Sequence, residues 1–184
     1  KFKDIEYYLF DENPYIDEPY GPNWKDMQEL FFKAANIPDE RIHIMTSNDW
    51  QDYDNKIRNA GGIDVMVIGL GYDGHFCGNC PRCTPFDSYT YCIDFKKKQA
   101  VNPDYGDRPR QPHTLTMGPK SLMRVKHLVM IVNGKEKAEI FKRFLDEPVN
   151  QDVPATILKL HPNFTVICDQ AAASLIDPQQ YSNL

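Results

Sequence analysis

The chain has 184 residues, 41% hydrophobic and 26% charged, a balance that fits one globular domain with a full core. Its net charge of −5 and isoelectric point near 5.5 lack the basic excess of a nucleic-acid or anionic-membrane binder. No apolar run reaches the roughly 18 residues of a membrane-spanning helix.

In chain order, the first apolar run is "IEYYLF" (5–10). It begins so close to Lys1 that a strand–helix segment is expected upstream. The next pattern, 23–37, places Met27, Leu30, Phe31 and Ala34 on one helical face. "RIHIMT" (41–46) reads as a further strand. "DYDNKIRNAGG" reads as a helix closed by a glycine pair. "VMVIGL" (65–70) follows, then a proline-rich stretch, 81–112, without clear period. That stretch is expected to be a lid or flap carrying two short strands, with the lysines at 96–98 on a solvated face.

"HTLTMG" (113–118) is a weaker strand, and "HLVMIVN" (127–133) and "FTVICD" (164–169) are stronger ones. Between them, "KEKAEIFKRFLDE" puts Ala138, Phe141, Phe144 and Leu145 on one stripe. "VPATILKLHP" is a short helix stopped by Pro162. "DQAAASLI" is a last helix with Asp169 as its N-cap. The stronger runs are continuous rather than alternating, so each is expected to be buried on both faces of a parallel sheet. Alternation of strand and helix implies an α/β fold, read as one domain over 1–184.

"GLGYDGHFCGNCPRC" (69–83) contains three overlapping motifs. Gly69-x-Gly71-x-x-Gly74 has dinucleotide-fingerprint spacing, but that motif needs a helix opening from the glycines. Gly78, Asn79, Pro81 and Pro85 deny it one. His75, Cys77, Cys80 and Cys83 have metal-site spacing, yet the iron–sulfur run lacks its last cysteine because residue 87 is Asp. The bland reading is a set of thiols in a loop. Asp73-Gly74-His75 offers a carboxylate and a base two residues apart, suited to proton transfer near neutral pH.

Open parallel sheets bind ligands beyond the carboxyl ends of their strands. Asp11 and Glu12 follow the run 5–10, Asp73 and His75 the run 65–70, and Lys137 opens a helix after 127–133. Asp11 with His75 fits an enolisation scheme, in which a carboxylate takes a carbon-bound proton and a second group serves the oxygen. Lys137 suits a phosphate. Glu12, Gly71 and Gly74 are the remaining substrate-side candidates, the glycines because they let backbone N–H groups approach closely.

"VMVIGLGYDGHFCGNCP" resembles the "LGxGxDGHxxxNxP" segment of the glucosamine-6-phosphate deaminase/isomerase family, related to the 6-phosphogluconolactonases. "YYLFDEN", "TLTMGPKSLM", "MIVNGKEKAEIF" and "VPATILKLHPNFTVICDQAAA" resemble further segments in order. The resemblance implies a three-layer α/β/α sandwich with a Rossmann-like, mostly parallel sheet. It implies Asp11 as proton-abstracting carboxylate, His75 as ring-opening group with Asp73 orienting it, and Lys137 as phosphate ligand. It implies aldose–ketose isomerisation of a phosphorylated amino sugar, with ammonia released and no cofactor.

This sequence departs from the family at Cys80, where the deaminases carry a glutamate. That leaves plain isomerisation, 6-phosphogluconolactone hydrolysis or non-catalytic sugar-phosphate binding open. The family's phosphate loop has no counterpart after Lys1, and Arg108 and Arg110 are the nearest candidates for its phosphate-binding arginine. A cytoplasmic protein is expected from five cysteines and no secretory signal, binding a small phosphorylated sugar, with homo-oligomerisation open.

Overall fold

The computed structural model describes residues 4–94 and 109–181. The lysines at 96–98, Arg108 and most of the expected flap fall outside the described residues. The chain divides into two compact units: Lys1–Asn55 with Thr90–Met117, and Lys56–Tyr89 with Gly118–Leu184.

In the first unit, strand β1 (Tyr7–Tyr8) pairs in parallel with β3 (Ile42–His43). Strand β2 (Asp11–Glu12) instead runs antiparallel to β6 (His113–Thr116), whose other edge takes β5 (Tyr91–Asp94), also antiparallel. The expected strand 5–10 is therefore shortened to β1, and Asp11 and Glu12, expected just beyond it, form a second short strand in a different sheet. The core gathers Leu9, Phe32 and Ile37, with Tyr7, Trp24, Phe31, Ile42 and Ile44 around it. Buried Tyr53 donates its hydroxyl to Leu9 O at 2.7 Å and His43 O at 2.9 Å, tying the two parallel strands.

The helix expected over 23–37 differs in form. Helix α1 (Pro22–Met27) passes into a π-helical turn over Gln28–Phe32. There Lys33 N donates to Gln28 O and Ile37 N to Phe32 O, five residues back. The wider turn rotates the buried face. Leu30, assigned to the core by 3.6-residue spacing, is 80% exposed, and Phe32 takes its place at 1%.

The second unit holds a parallel sheet of β4 (Val65–Gly69), β7 (His127–Val132) and β8 (Phe164–Cys168), in the order β4-β7-β8. Helix α2 (Tyr53–Asn59) leads towards β4 and ends at Gly61 and Gly62, both at positive φ, with Gly62 N donating to Ile57 O. One face of the sheet buries Met66, Ile68, Leu128, Met130 and Val132. After helix α3 (Pro119–Leu122) and β7, helix α4 (Ala138–Asp146) packs on that side through the edge contact of Phe144 with Phe164. Burying each such side chain stabilises by about 1.5–3 kcal/mol.

Burial on both faces is not what these strands show. Val65, Val67, Ile131 and Ile167 project from the opposite face and are exposed. A continuous apolar run does not reveal which of its faces is covered. The two C-terminal helices form as 3-10 turns, Pro154–Leu160 and Ala172–Leu175. Asp169 caps the second through Ala172 N at 2.7 Å. No helix among the described residues is long and apolar enough to cross a membrane.

Candidate functional site: the loop after β4

The second unit builds its site on residues 70–75. Gly71 N donates to His75 O at 2.8 Å, and Gly74 N to Gly71 O at 3.0 Å, closing a tight turn. The His75 ring lies against Gly71 so closely that a Cβ there would fall on Nδ1, Cε1 and Cγ. Gly74 sits at φ +87, and a Cβ on it would meet Val153 Cγ1 at 2.8 Å. Its carbonyl accepts Ala155 N at 3.0 Å. The room expected at these two glycines for a substrate is taken up by the protein's own ring and by Val153. Phe76 and Asn79, both buried, exchange backbone hydrogen bonds and anchor the loop from behind.

Asp73 Oδ1 accepts both the His75 backbone N–H at 3.0 Å and Nδ1 at 2.6 Å. The imidazole N–H holds the Asp73 carboxyl down to about 2 from its ordinary 3.8. An ionised carboxylate only accepts, so Nδ1 carries a proton and Nε2 is the nitrogen left to exchange one with a substrate. Orientation of a histidine through its second nitrogen is the arrangement that general acid–base chemistry needs.

Lys137 lies in the 3-10 turn Lys135–Lys137 that leads into α4. Its Nζ donates to Leu70 O at 2.6 Å and stands 3.5 Å from the centroid of the Tyr72 ring. Burial pushes its ammonium down, against the charges of Glu136 and Asp73. The lysine and the Asp73–His75 pair thus share one end of the β4–β7–β8 sheet. Gly134, at φ +92, starts that turn. Its N–H donates to the Asp169 carboxylate at 3.0 Å, joining the ends of β7 and β8. Sequence reading passed over Tyr72, although it stands inside the motif beside Asp73.

In the first unit, Asp11 Oδ1 accepts Asn23 Nδ2 at 2.7 Å. Glu12 is 1% exposed. Its Oε1 accepts Asn13 N at 2.8 Å and Asn23 N at 3.2 Å, and its Oε2 accepts Trp24 N at 2.8 Å. Gly21, the N-cap of α1, has no side chain to offer, so Glu12 satisfies the helix's orphan N–H groups from a neighbouring strand. Burial raises its carboxyl despite those bonds. Glu12, expected at the substrate, spends its oxygens on the fold. Arg110 forms an isolated bridge with Tyr15.

Cys80 donates its thiol to Gly78 O at 3.4 Å, and Cys83 to Cys80 O at 3.5 Å. Among the described residues, no group of three or more His, Cys, Asp or Glu side chains is placed to hold a metal ion.

Residues 1–167 match the family model of glucosamine-6-phosphate isomerases and 6-phosphogluconolactonases. The glucosamine-6-phosphate deaminase of Clostridium acetobutylicum is 34% identical over 93% of this chain and 72% of its own length. That of Lachnoclostridium phytofermentans is 37% identical over 77% of this chain and 64% of its own. A solved monomeric glucosamine-6-phosphate deaminase superposes with a TM-score of 0.81 at 28% identity, covering 96% of this chain and 77% of the other. The 6-phosphogluconolactonase of Thermotoga maritima gives 0.70 at 20%, covering 91% and 73%, a likeness of fold alone. These superpositions bear out the α/β sandwich class, and the span matched by the family model, residues 1–167, includes Asp11, Asp73, His75 and Lys137. The chain belongs to the family of glucosamine-6-phosphate isomerases and 6-phosphogluconolactonases.

Proposed function

We propose that this chain carries the catalytic residues of an enzyme acting on a phosphorylated amino sugar. The observation that carries the reading is the Asp73–His75 pair: Nδ1 fixed at 2.6 Å on an ionised carboxylate, with the ring seated on Gly71. The relatives' names set the substrate class. A cytoplasmic setting fits a chain with five thiols.

The cyclic sugar must first open. His75 Nε2 takes the proton of the anomeric hydroxyl and returns one to the ring oxygen as the carbon–oxygen bond breaks. Asp73 stays ionised throughout, stabilising the imidazolium that forms between the two transfers. In the open aldehyde, the hydrogen on C2 is acidified by the carbonyl. Asp11 is assigned its removal, giving an enolamine. Reprotonation at C1 gives a C2 imine, to which water adds, and ammonia leaves a ketose phosphate. Lys137 is assigned the phosphate group, to which its ammonium offers charge and three donors. Cys80 bears no carboxylate, so the histidine works here without that second acid.

The test is a panel of phosphorylated hexoses and hexosamines given to the full chain, with ketose and ammonia read separately. Ketose and ammonia from an amino-sugar phosphate support the reading. Ketose from neutral hexose phosphates alone narrows it to isomerisation. Hydrolysis of 6-phosphogluconolactone alone, unchanged in Asp11→Asn, overturns it.

A further inference from the structure

Cys80-Pro81-Arg82-Cys83 has no part in the reaction above, and its geometry differs from that of the other cysteines. Cys83 N donates to Cys80 O at 3.4 Å, closing a turn across the four residues. Pro81 presets φ at the second position, and Arg82 takes φ +59 at the third, the pattern of a type II turn. Glycine or asparagine is the usual occupant of that third position. Arginine is held there by its surroundings. Its N–H donates to Gln151 O at 2.8 Å and its Nε to Asp152 Oδ1 at 2.6 Å. Gln151 Nε2 donates to Thr84 O at 3.0 Å, and Thr84 Oγ1 to Cys80 O at 2.7 Å. The turn is thus fixed at both ends before any bond joins its sulfurs.

The first and fourth Cα atoms of a β-turn lie within about 7 Å, and a disulfide spans roughly 4.4–6.8 Å. Both cysteines are half-buried rather than enclosed in the core. Each donates to a carbonyl within this same loop, Cys83 to the carbonyl of Cys80 itself. Cys77 also stands three residues from Cys80. It occupies a different turn, at φ +49 on the tip of the two-residue connection between Phe76 and Asn79.

We propose that Cys80 and Cys83 form a reversible redox pair, oxidised by a small-molecule disulfide such as oxidised glutathione. One thiol, as thiolate, attacks the glutathione disulfide, giving a mixed disulfide and one reduced glutathione. The second thiol attacks the mixed disulfide, forming the Cys80–Cys83 bond and releasing the second glutathione. Two protein thiols are oxidised, one glutathione disulfide is reduced, and both thiol protons leave with the two glutathiones. The inference is independent of the sugar-phosphate reading, because neither thiol takes part in that chemistry.

The experiment is equilibration of the full chain in glutathione buffers of graded ratio, followed by acid quench, alkylation and intact-mass and peptide analysis. The expected result is a species lighter by two hydrogens, mapped to a Cys80–Cys83 link and reversed by reduced glutathione. Cys83→Ser and Cys80→Ser should each instead retain one glutathione adduct at the remaining cysteine of the pair. No oxidation, a wild-type adduct that persists unresolved, or a link through Cys77, Cys92 or Cys168 overturns the proposal.

Discussion

Glu12 at the end of β2 and Asp73 beyond β4 are both carboxylates at strand ends, and the molecule treats them in opposite ways. Glu12 is buried among backbone N–H groups at the start of α1, and burial pushes its carboxyl up. Asp73 is half in solvent against one imidazole, and is pushed down to about 2. Position after a strand is common to both. What separates them is the donor: main-chain N–H groups for Glu12, a titratable ring beside one main-chain N–H for Asp73. A carboxylate that holds a histidine has a chemical consequence, whereas one that holds a helix has a structural one.

The largest expected break of this contrast is His75→Asn. It should lower kcat by roughly 10²–10⁴-fold with a melting temperature near that of the wild type, read by steady-state kinetics and calorimetry. Gly71→Ala comes next. Its methyl displaces the ring while leaving every catalytic group present, so kcat should fall by about 10²-fold. Equal activity in Gly71→Ala would show that the observed seat of His75 is not the working one.

Glu12→Ala should show the reverse profile. Losing the acceptor of several buried N–H groups should cost about 1–3 kcal/mol, seen as a lower denaturation midpoint with a much smaller effect on kcat. The two carboxylates also predict opposite pH slopes in stability. Glu12 is raised, so its contribution is full below the ordinary 4.5 and is lost as pH rises through the folded value. Asp73 is lowered, so its contribution is present above 3.8 and is lost as pH falls towards about 2. Melting temperatures of Glu12→Gln and Asp73→Asn against wild type, from pH 2 to 7, measure both slopes. A shared sign would break the comparison.

The smallest effect is at Tyr72, 67% exposed, whose ring faces the Lys137 ammonium. An exposed cation–π contact contributes about 0.5–1 kcal/mol. Tyr72→Leu should therefore raise KM for a sugar phosphate roughly 2–5-fold with kcat held, and Tyr72→Phe should restore it.

Much of this was legible in the chain. The runs 65–70, 127–133 and 164–169 became β4, β7 and β8 because side-by-side apolar strands joined by helices leave few alternatives. Asp73 and His75 were legible because the pair is local: two residues apart in a glycine-bounded turn, they meet whatever the rest does. The glycines were found but misread, since spacing shows that a Cβ is excluded and not which atoms exclude it. At Gly71 those atoms are the histidine's own ring. The role of Glu12 depends on residues 21–24 returning to it through space, which no local pattern encodes. Leu30 and Phe32 exchanged places because a π turn breaks the 3.6-residue period.

The assignment of His75 to ring opening rather than to enolisation is tested most directly by two substrates on one variant. A 4,5-dideoxy analogue of the amino-sugar phosphate has no hydroxyl placed to close a five- or six-membered ring, so it needs no opening. His75→Asn should lose at least 100-fold on the cyclic substrate and stay within about tenfold of wild type on the 4,5-dideoxy analogue, by ketose formation. Equal losses on both substrates would contradict the role given to the Asp73–His75 pair.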